Sequence, residues 1–438
     1  MSIAQSGLAL EQAPPITVPF RFFLTAPLFL LAAAGLMVWY GPDALTMRQS
    51  PVMLALAHLL AVGVVSMVMC GALMQMLPVV AGSPVARPRL VAAISHGTLT
   101  LGTPLLAAAF LTGDKILSHA AMGLLVLGFG TFILSAGLSL VRVRVYNATV
   151  VSMSCAVISL TITLCMGVEL LLARVGEYAV DYSLLAGLHP AWGLVGWVAL
   201  LIIGVAYQVV PMFQITPNYP RFLTRTLTGV MFGLLLAKSI AAWWQSPNPV
   251  QMAINAGLVA ALVLFAHMTL NLQSRRKRRQ TDPTLLYWRC GMSALVVAAL
   301  GSVPLQLLQA GAGETLRLLL GVIFIAGFVI SVMTGMLYKI VPFLAWFHLQ
   351  SRYVRMMVIP NMKELIPDAC ARRQMLAWFT ACALLVLAIL SPRIFAYPAA
   401  FMIALAAIWL EWNLLKVVIS YRHIQSIAMA EPQPTIPS

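Results

Sequence analysis

Three histidines sit where a membrane-embedded metal or heme would need them. His58 and His189 each head a long apolar run, His58 to Pro78 and His189 to Pro211, and His119 opens another. A neutral imidazole offers a nitrogen lone pair at physiological pH and is a good ligand for heme iron, copper or zinc. At a rise of ~1.5 Å per residue, His58 lies ~10 Å along a helix that begins near Pro51, inside one leaflet. His58 and His189 are the candidate cofactor ligands, and His119 joins them as a candidate third metal ligand if its helix packs beside theirs. The competing reading is structural, since a membrane histidine also serves by hydrogen-bonding a neighbouring helix or by sitting at headgroup level. His96 and His267 fall toward the other end of their helices, where that role is expected. His348 and His423 are expected in loops or at helix ends, without chemistry.

The helices that carry the first two histidines belong to an internal repeat. Each closes on a polar residue three positions before a proline, as Gln75 before Pro78 and Gln208 before Pro211. A third run, Val322 to Pro342, repeats the ending with Lys339 but brings no histidine. The polar residues are expected to cap or join helix ends, a role in architecture rather than chemistry.

Ionisable residues inside apolar runs are the next candidates, because a charge in hydrocarbon is costly and faces a cavity or a partner. Glu411, Lys238 and Glu169 qualify as members of a proton or substrate path, Glu411 being the deepest carboxylate. Pairing between helices is the alternative for Glu411, and snorkelling or exposure at the interface for the other two. Met67, Met69, Met74 and Met76 follow His58 and raise copper movement as a minor possibility, although methionine is also an ordinary packing residue. Six cysteines show no CxxC spacing, so disulfides and thiolate metal sites are not expected. No phosphate-binding glycine loop, HExxH or nucleophile elbow is present, which disfavours nucleotide hydrolysis and protease or lipase chemistry.

The elements that must position these residues follow from composition. A chain of 438 residues that is 61% hydrophobic and 9% charged, with mean hydropathy +0.94, is a polytopic membrane protein. A span needs roughly 20 apolar residues, and twelve are expected near 20–41, 50–80, 88–112, 116–140, 148–172, 184–212, 222–244, 248–273, 284–309, 314–346, 373–391 and 395–420. The net charge of +15 is distributed by side. Loops after even-numbered spans hold Arg87, Arg89, Arg142, Arg144, Arg221, Arg225, the run Arg275-Arg276-Lys277-Arg278-Arg279, Arg352, Arg355, Lys363, Arg372, Arg373 and Arg422. Loops after odd spans hold only Arg48, Lys115, Arg174, Arg317 and Arg393. The positive-inside rule then places both termini in the cytoplasm. The Arg275 to Arg279 run reads as a topogenic, lipid-facing loop and not as a nucleic-acid site. No cleavable signal peptide is evident. One domain, 1–427, is expected, with 348–373 as a linker between spans and 428–438 as a disordered, proline-rich cytoplasmic tail.

The string from His58 through Met67-Val68-Met69, Gly71 and Pro78-Val79-Val80-Ala81-Gly82-Ser83-Pro84 to Arg87-Pro88-Arg89-Leu90 resembles the heme-copper oxidase subunit I family. That family's second helix opens on a low-spin heme histidine and ends in a similar proline and glycine pattern. The resemblance implies twelve spans in three pseudo-symmetric groups of four, with helices two, six and ten equivalent, which is where the repeats fall. His189-Pro190 looks like the family's helix-six pair, whose histidine binds copper. The departures matter as much. Positions matching the family's helix-ten histidines are Leu320 and Val322, the seventh span has no histidine where the family has a copper-binding pair, and Gly193 stands where many members have tyrosine. The opening Pro19-Phe20-Arg21-Phe22-Phe23 is similar to the NnrS family, twelve-span heme- and copper-containing proteins of nitric oxide metabolism.

The resulting expectation is an all-α, twelve-span protein of a bacterial-type inner membrane, with an oxidase-like scaffold and reduced ligands. It would bind heme or copper near its outer face through His58 and His189, in respiratory or nitric oxide physiology, with the lipid bilayer and a respiratory or cytochrome protein as partners, and without reducing oxygen. The alternative is a cofactor-free transporter or assembly factor.

Overall fold

The computed structural model describes residues 12–177, 179–277, 280–306, 313–353 and 359–430. Arg278, Arg279, Arg355 and the tail expected to be disordered, apart from 428–430, lie outside the described residues. Twelve helical segments are long and apolar enough to cross a bilayer. They are α1 (Thr17–Leu45), α2 (Pro51–Ala81), α3 (Pro88–Thr112), α4 (Lys115–Val141), α5 (Ala148–Arg174) and α6 (Tyr182–Gln214), then α7 (Arg221–Trp243), α8 (Asn248–Ser274), α9 (Pro283–Gln306), α10 (Glu314–Tyr353), α11 (Asp368–Leu390) and α12 (Pro392–Ala428). The described residues contain no strand, as expected of chain in hydrocarbon, where a helix satisfies its own backbone polar groups.

The helices form a ring with threefold repetition. Within each group of four the first packs on the second (α1 on α2, α5 on α6, α9 on α10) and the third on the fourth (α3 on α4, α7 on α8, α11 on α12). Each fourth helix then packs on the first helix of the next group, α4 on α5, α8 on α9, and α12 back on α1. Short loops make sequential neighbours spatial ones.

The repeat is tighter than the ends of α2, α6 and α10 suggest. Each contains a stretch of π-helix, Leu59–Ser66, Ala191–Ala199 and Ile323–Ile330, and each stretch ends twelve residues before the shared proline, as Ser66 to Pro78, Ala199 to Pro211 and Ile330 to Pro342 show. Wide turns of this kind recur at functional sites. Two serines tie up the carbonyls freed by widening. Ser66 Oγ donates to the Ala61 carbonyl and Ser331 Oγ to the Ala326 carbonyl, each at 2.9 Å. Both hydroxyls also accept from an indole, Trp197 at 3.3 Å and Trp378 at 2.8 Å.

Two glycines per repeat, also in register, let α2, α6 and α10 lie against the first helix of their group. A Cβ on Gly71 would meet the Phe22 Cβ at 2.8 Å, on Gly204 the Ser152 Cβ at 2.3 Å, and on Gly335 the Tyr287 Cβ at 2.6 Å. Eight residues earlier, Gly63, Gly196 and Gly327 are crowded by Phe29, Ser159 and Ala294. Small residues at a helix crossing gain dispersion contact, which drives association where lipid is as apolar as the side chains.

The structure corrects three local expectations. The helices do not close at the proline: α2 runs on to Ala81, α6 to Gln214 and α10 to Tyr353. Gln75, Gln208 and Lys339 are therefore mid-helix and cap nothing. Lys339 does join helices, its ammonium lying 3.1 Å from the carboxylate of Asp282, the N-cap of α9. His348 is not in a loop but buried within α10. What remains of the expected linker is a helical turn at Met362–Leu365 with an Asn361/Glu364 capping box.

Candidate cofactor site

His58 is the last residue before the π-helical stretch of α2, and His189 stands two residues before that of α6. Because α2 and α6 both begin on one side of the membrane, the two histidines enter at a similar depth from that side. Their rings lie with centroids 6.2 Å apart and planes 21° from parallel. His58 Nδ1 lies 2.8 Å from the Leu54 carbonyl and His189 Nδ1 lies 3.1 Å from the Thr163 carbonyl on α5. A carbonyl only accepts, so each Nδ1 carries the proton and donates. That fixes the tautomer with Nε2 as the open lone pair, the arrangement that metal-ligating histidines have.

Both rings line an internal cavity of about 460 Å³, within the range of about 300 to 1,000 Å³ that small-molecule sites occupy. Its wall is mostly aliphatic and aromatic, including Phe110, Phe129, Trp197, Leu318 and Trp378. Phe110 packs on His58 with centroids 5.0 Å apart. At the histidine side the wall turns cationic with Arg48, Arg174 and Arg317. The Arg174 guanidinium sits 5.6 Å from the centre of Phe110, a cation–π distance. Gly167 of α5 makes room for the second imidazole, since a Cβ there would lie 3.2 Å from His189 Cε1.

Two of the three histidines expected to converge do so. His119 stays out: it does not line the cavity, its Nδ1 donates to the Lys115 carbonyl at 2.7 Å, and its Nε2 lies 3.5 Å from Glu177 near the surface. Among the described residues no group of three or more His, Cys, Asp or Glu gathers to hold a metal ion. Val322 of the third repeat lines the same cavity, whereas Leu320 is buried near Gly301 of α9 and does not line it. His96 is held by Thr25 at 2.8 Å and packs edge-on to Phe22, a structural arrangement.

The three path candidates are dispersed. Glu169 is exposed on α5. Lys238 bonds Asn255 at 2.7 Å and lines a separate, smaller cavity. Glu411 is half-buried on α12 with one carboxylate oxygen unpartnered, and none of the three lines the histidine cavity. Met67, Met69 and Met74 are packed in the core and do not line the cavity.

Sequence reasoning missed Gly167, Thr163 and Phe110, which position the histidines from α5 and α3. The glycine register in α2, α6 and α10 was the available signal that the repeat extends as far as the histidines. Only packing reveals Gly167.

No protein-family model and no curated protein matches this chain. Solved structures do. A heme-copper terminal oxidase, seen as a dimer by cryo-electron microscopy, superposes with a TM-score of 0.57 over 96% of this chain and 86% of its own, at 11% sequence identity. The fold of this chain, with twelve helices long and apolar enough to span a membrane among the described residues, is thus shared with that oxidase.

Proposed function

We propose that this protein is a membrane heme protein in which His58 and His189 would together hold one heme, serving electron transfer in respiratory or nitric oxide physiology and not oxygen reduction. The observation that carries this reading is the imidazole pair. With centroids 6.2 Å apart and both lining one cavity, the two imidazoles would be within reach of a single bound group. The two Nδ1 donors already hold the tautomers that ligation requires.

The surroundings favour a heme over a bare copper ion. A single ion needs no 460 Å³ cavity, whereas a flat apolar ring with two carboxylates matches apolar walls and a cationic end formed by Arg48, Arg174 and Arg317. A heme bound there supplies a reversible one-electron couple tuned by its axial ligands and by burial. Both His58 and His189 would be engaged in holding it. The third repeat adds no ligand, since Leu320 and Val322 cannot bind iron.

The test is to purify the protein in mild detergent and record reduced-minus-oxidised spectra, a pyridine hemochrome and metal content. One low-spin heme per chain is expected, lost in His58→Ala and in His189→Ala while the variants stay monodisperse. A colourless, metal-free and folded protein would overturn the reading and leave a cofactor-free transporter or assembly factor. Copper without heme would keep the histidine pair and discard the heme.

A further inference from the structure

A second, smaller cavity lies against the other face of α6, just ahead of His189. It measures about 180 Å³ and is lined by Ser183, Leu184 and Leu188 of α6, Lys238 of α7, and Gln251 and Ile254 of α8. We infer that it is a binding site for an oxyanion, and that the phosphate of an anionic phospholipid occupies it.

Charge comes first. Lys238 stands inside a membrane-spanning helix, where an ammonium is costly unless it faces a cavity or a partner. Its one protein partner is the neutral side-chain oxygen of Asn255, at 2.7 Å, and no carboxylate lies within ion-pairing distance of it among the described residues. An ammonium has three donors, so two remain for whatever fills the cavity it lines. Asn255 is in turn anchored by donating to Gln306 at 3.4 Å, so the lysine is held across α7, α8 and α9. A lysine left to itself would snorkel outward along its own helix; this one is fixed sideways against α8.

Depth and wall chemistry choose the oxyanion's source. Trp243 and Trp244, five and six residues beyond Lys238, are strongly exposed and mark the interfacial belt. At ~1.5 Å per residue, Lys238 Cα lies ~8 Å below that belt, near enough for a headgroup phosphate drawn into the cavity to meet its ammonium. Ser183 and Gln251 give the cavity a polar lip, and Leu184, Leu188, Ala241 and Ile254 give it apolar walls. A polar mouth over apolar walls suits a headgroup with its acyl chain and offers a small hydrated ion little.

The experiment uses the full-length protein in detergent, delipidated and then titrated with phosphatidylglycerol or phosphatidylcholine, with bound lipid read by native mass spectrometry. Wild type is expected to bind one phosphatidylglycerol at least tenfold more tightly than phosphatidylcholine, and Lys238→Met to lose that preference. Lys238→Arg, which keeps the charge, is expected to retain most of it and controls for folding. Inorganic phosphate at millimolar concentration is expected not to displace the lipid; displacement would reassign the site to a free oxyanion and overturn the lipid source. Equal binding of phosphatidylglycerol by wild type and a monodisperse Lys238→Met would overturn the site itself. None of these readouts depends on heme, so they stand apart from the test of His58 and His189.

Discussion

The first two repeats and the third share a backbone and differ in chemistry. In α2, α6 and α10 the π-helical stretch, both glycines and the proline stand in register. Facing the common cavity, however, α2 presents His58, α6 presents His189, and α10 presents Val322. The glycines face the preceding helix of the group, where any side chain would collide, so packing holds them fixed. The cavity-facing positions lie outside those crossings, so the crossings do not dictate their side chains. Helix packing fixes the scaffold positions and leaves the cavity-facing ones open, so a shared architecture does not by itself settle what this cavity holds.

The sharpest way to break that comparison is to remove one cavity-facing residue from each repeat. His58→Ala and His189→Ala are each expected to abolish heme incorporation, whereas Val322→Ala is expected to leave heme content and spectrum unchanged. The check is heme per chain by pyridine hemochrome. Loss of heme from Val322→Ala to the same degree would mean that the third repeat takes part in the site.

The scaffold half of the comparison is tested by enlarging the shared glycines. Gly71→Leu, Gly204→Leu and Gly335→Leu each force a side chain into a neighbour already within 2.8 Å of the added Cβ. Overpacking typically costs about 1 to 3 kcal/mol, and three more carbons against backbone should push beyond that. All three variants are expected to lose most folded, monodisperse protein on size-exclusion chromatography. If Gly335→Leu alone were tolerated, the third repeat would have relaxed its packing along with its ligand.

A gentler probe is Lys339, the third repeat's departure from Gln75 and Gln208. Lys339→Gln makes the repeats alike but strips Asp282, 5% exposed, of a cation at 3.1 Å. Breaking a fully buried pair costs about 3 to 5 kcal/mol. Lys339 keeps 18% exposure and Asp282 also accepts from the Leu285 amide at 2.9 Å, so about 1 to 2 kcal/mol is expected. A lowered Tm, partly restored by adding Asp282→Asn, would confirm the pair, and an unchanged Tm would show that the glutamine serves as well.

What was legible in the sequence followed from hydrocarbon. The twelve spans emerge from apolar length alone because water is absent and helices must close their own hydrogen bonds, and α3 was located to the residue at 88–112. Misplaced ends lie where helices extend past the apolar run, as α10 does through His348 to Tyr353. His58 and His189 were legible as residue types heading equivalent helices. Their meeting was not, since it depends on how α2 and α6 pack across the ring, and His119, which also opens an apolar run, does not converge. The partners that aim the rings, Leu54 and Thr163 carbonyls and the open space at Gly167, are backbone features with no signature in composition. Gly167→Ala is expected to push His189 by a few tenths of an ångström and weaken heme retention several-fold without abolishing it, read as faster heme loss to apomyoglobin. Unchanged retention would remove Gly167 from the positioning set.

The finest distinction between the repeats lies in how their helices start, and pH reads it. The helix of α2 is capped by the neutral Ser50 hydroxyl, which accepts from Met53 at 3.1 Å. Asp181 caps α6, accepting from the Leu184 amide at 3.0 Å and the Ser183 hydroxyl at 2.9 Å. Before α10 stands Gly313 with φ +78° and no side-chain cap. The amide and hydroxyl that donate to Asp181 hold its carboxyl below the usual carboxylate range, since hydrogen bonds to the charged form favour it. A depressed folded value means that the cap's contribution is complete above the ordinary carboxylate pKa and fades as pH falls through the lower folded one. Hydrogen-exchange protection at Leu184 and Leu185, corrected for intrinsic rates, is therefore expected to fall on acidification, while that at Met53 and Leu54 in α2 holds. Because α6 delivers His189 only two turns later, the change should appear as fraying of the first turn that leaves the imidazole pair intact. A parallel loss in α2 would show that acid acts on the bundle as a whole and not through this carboxylate.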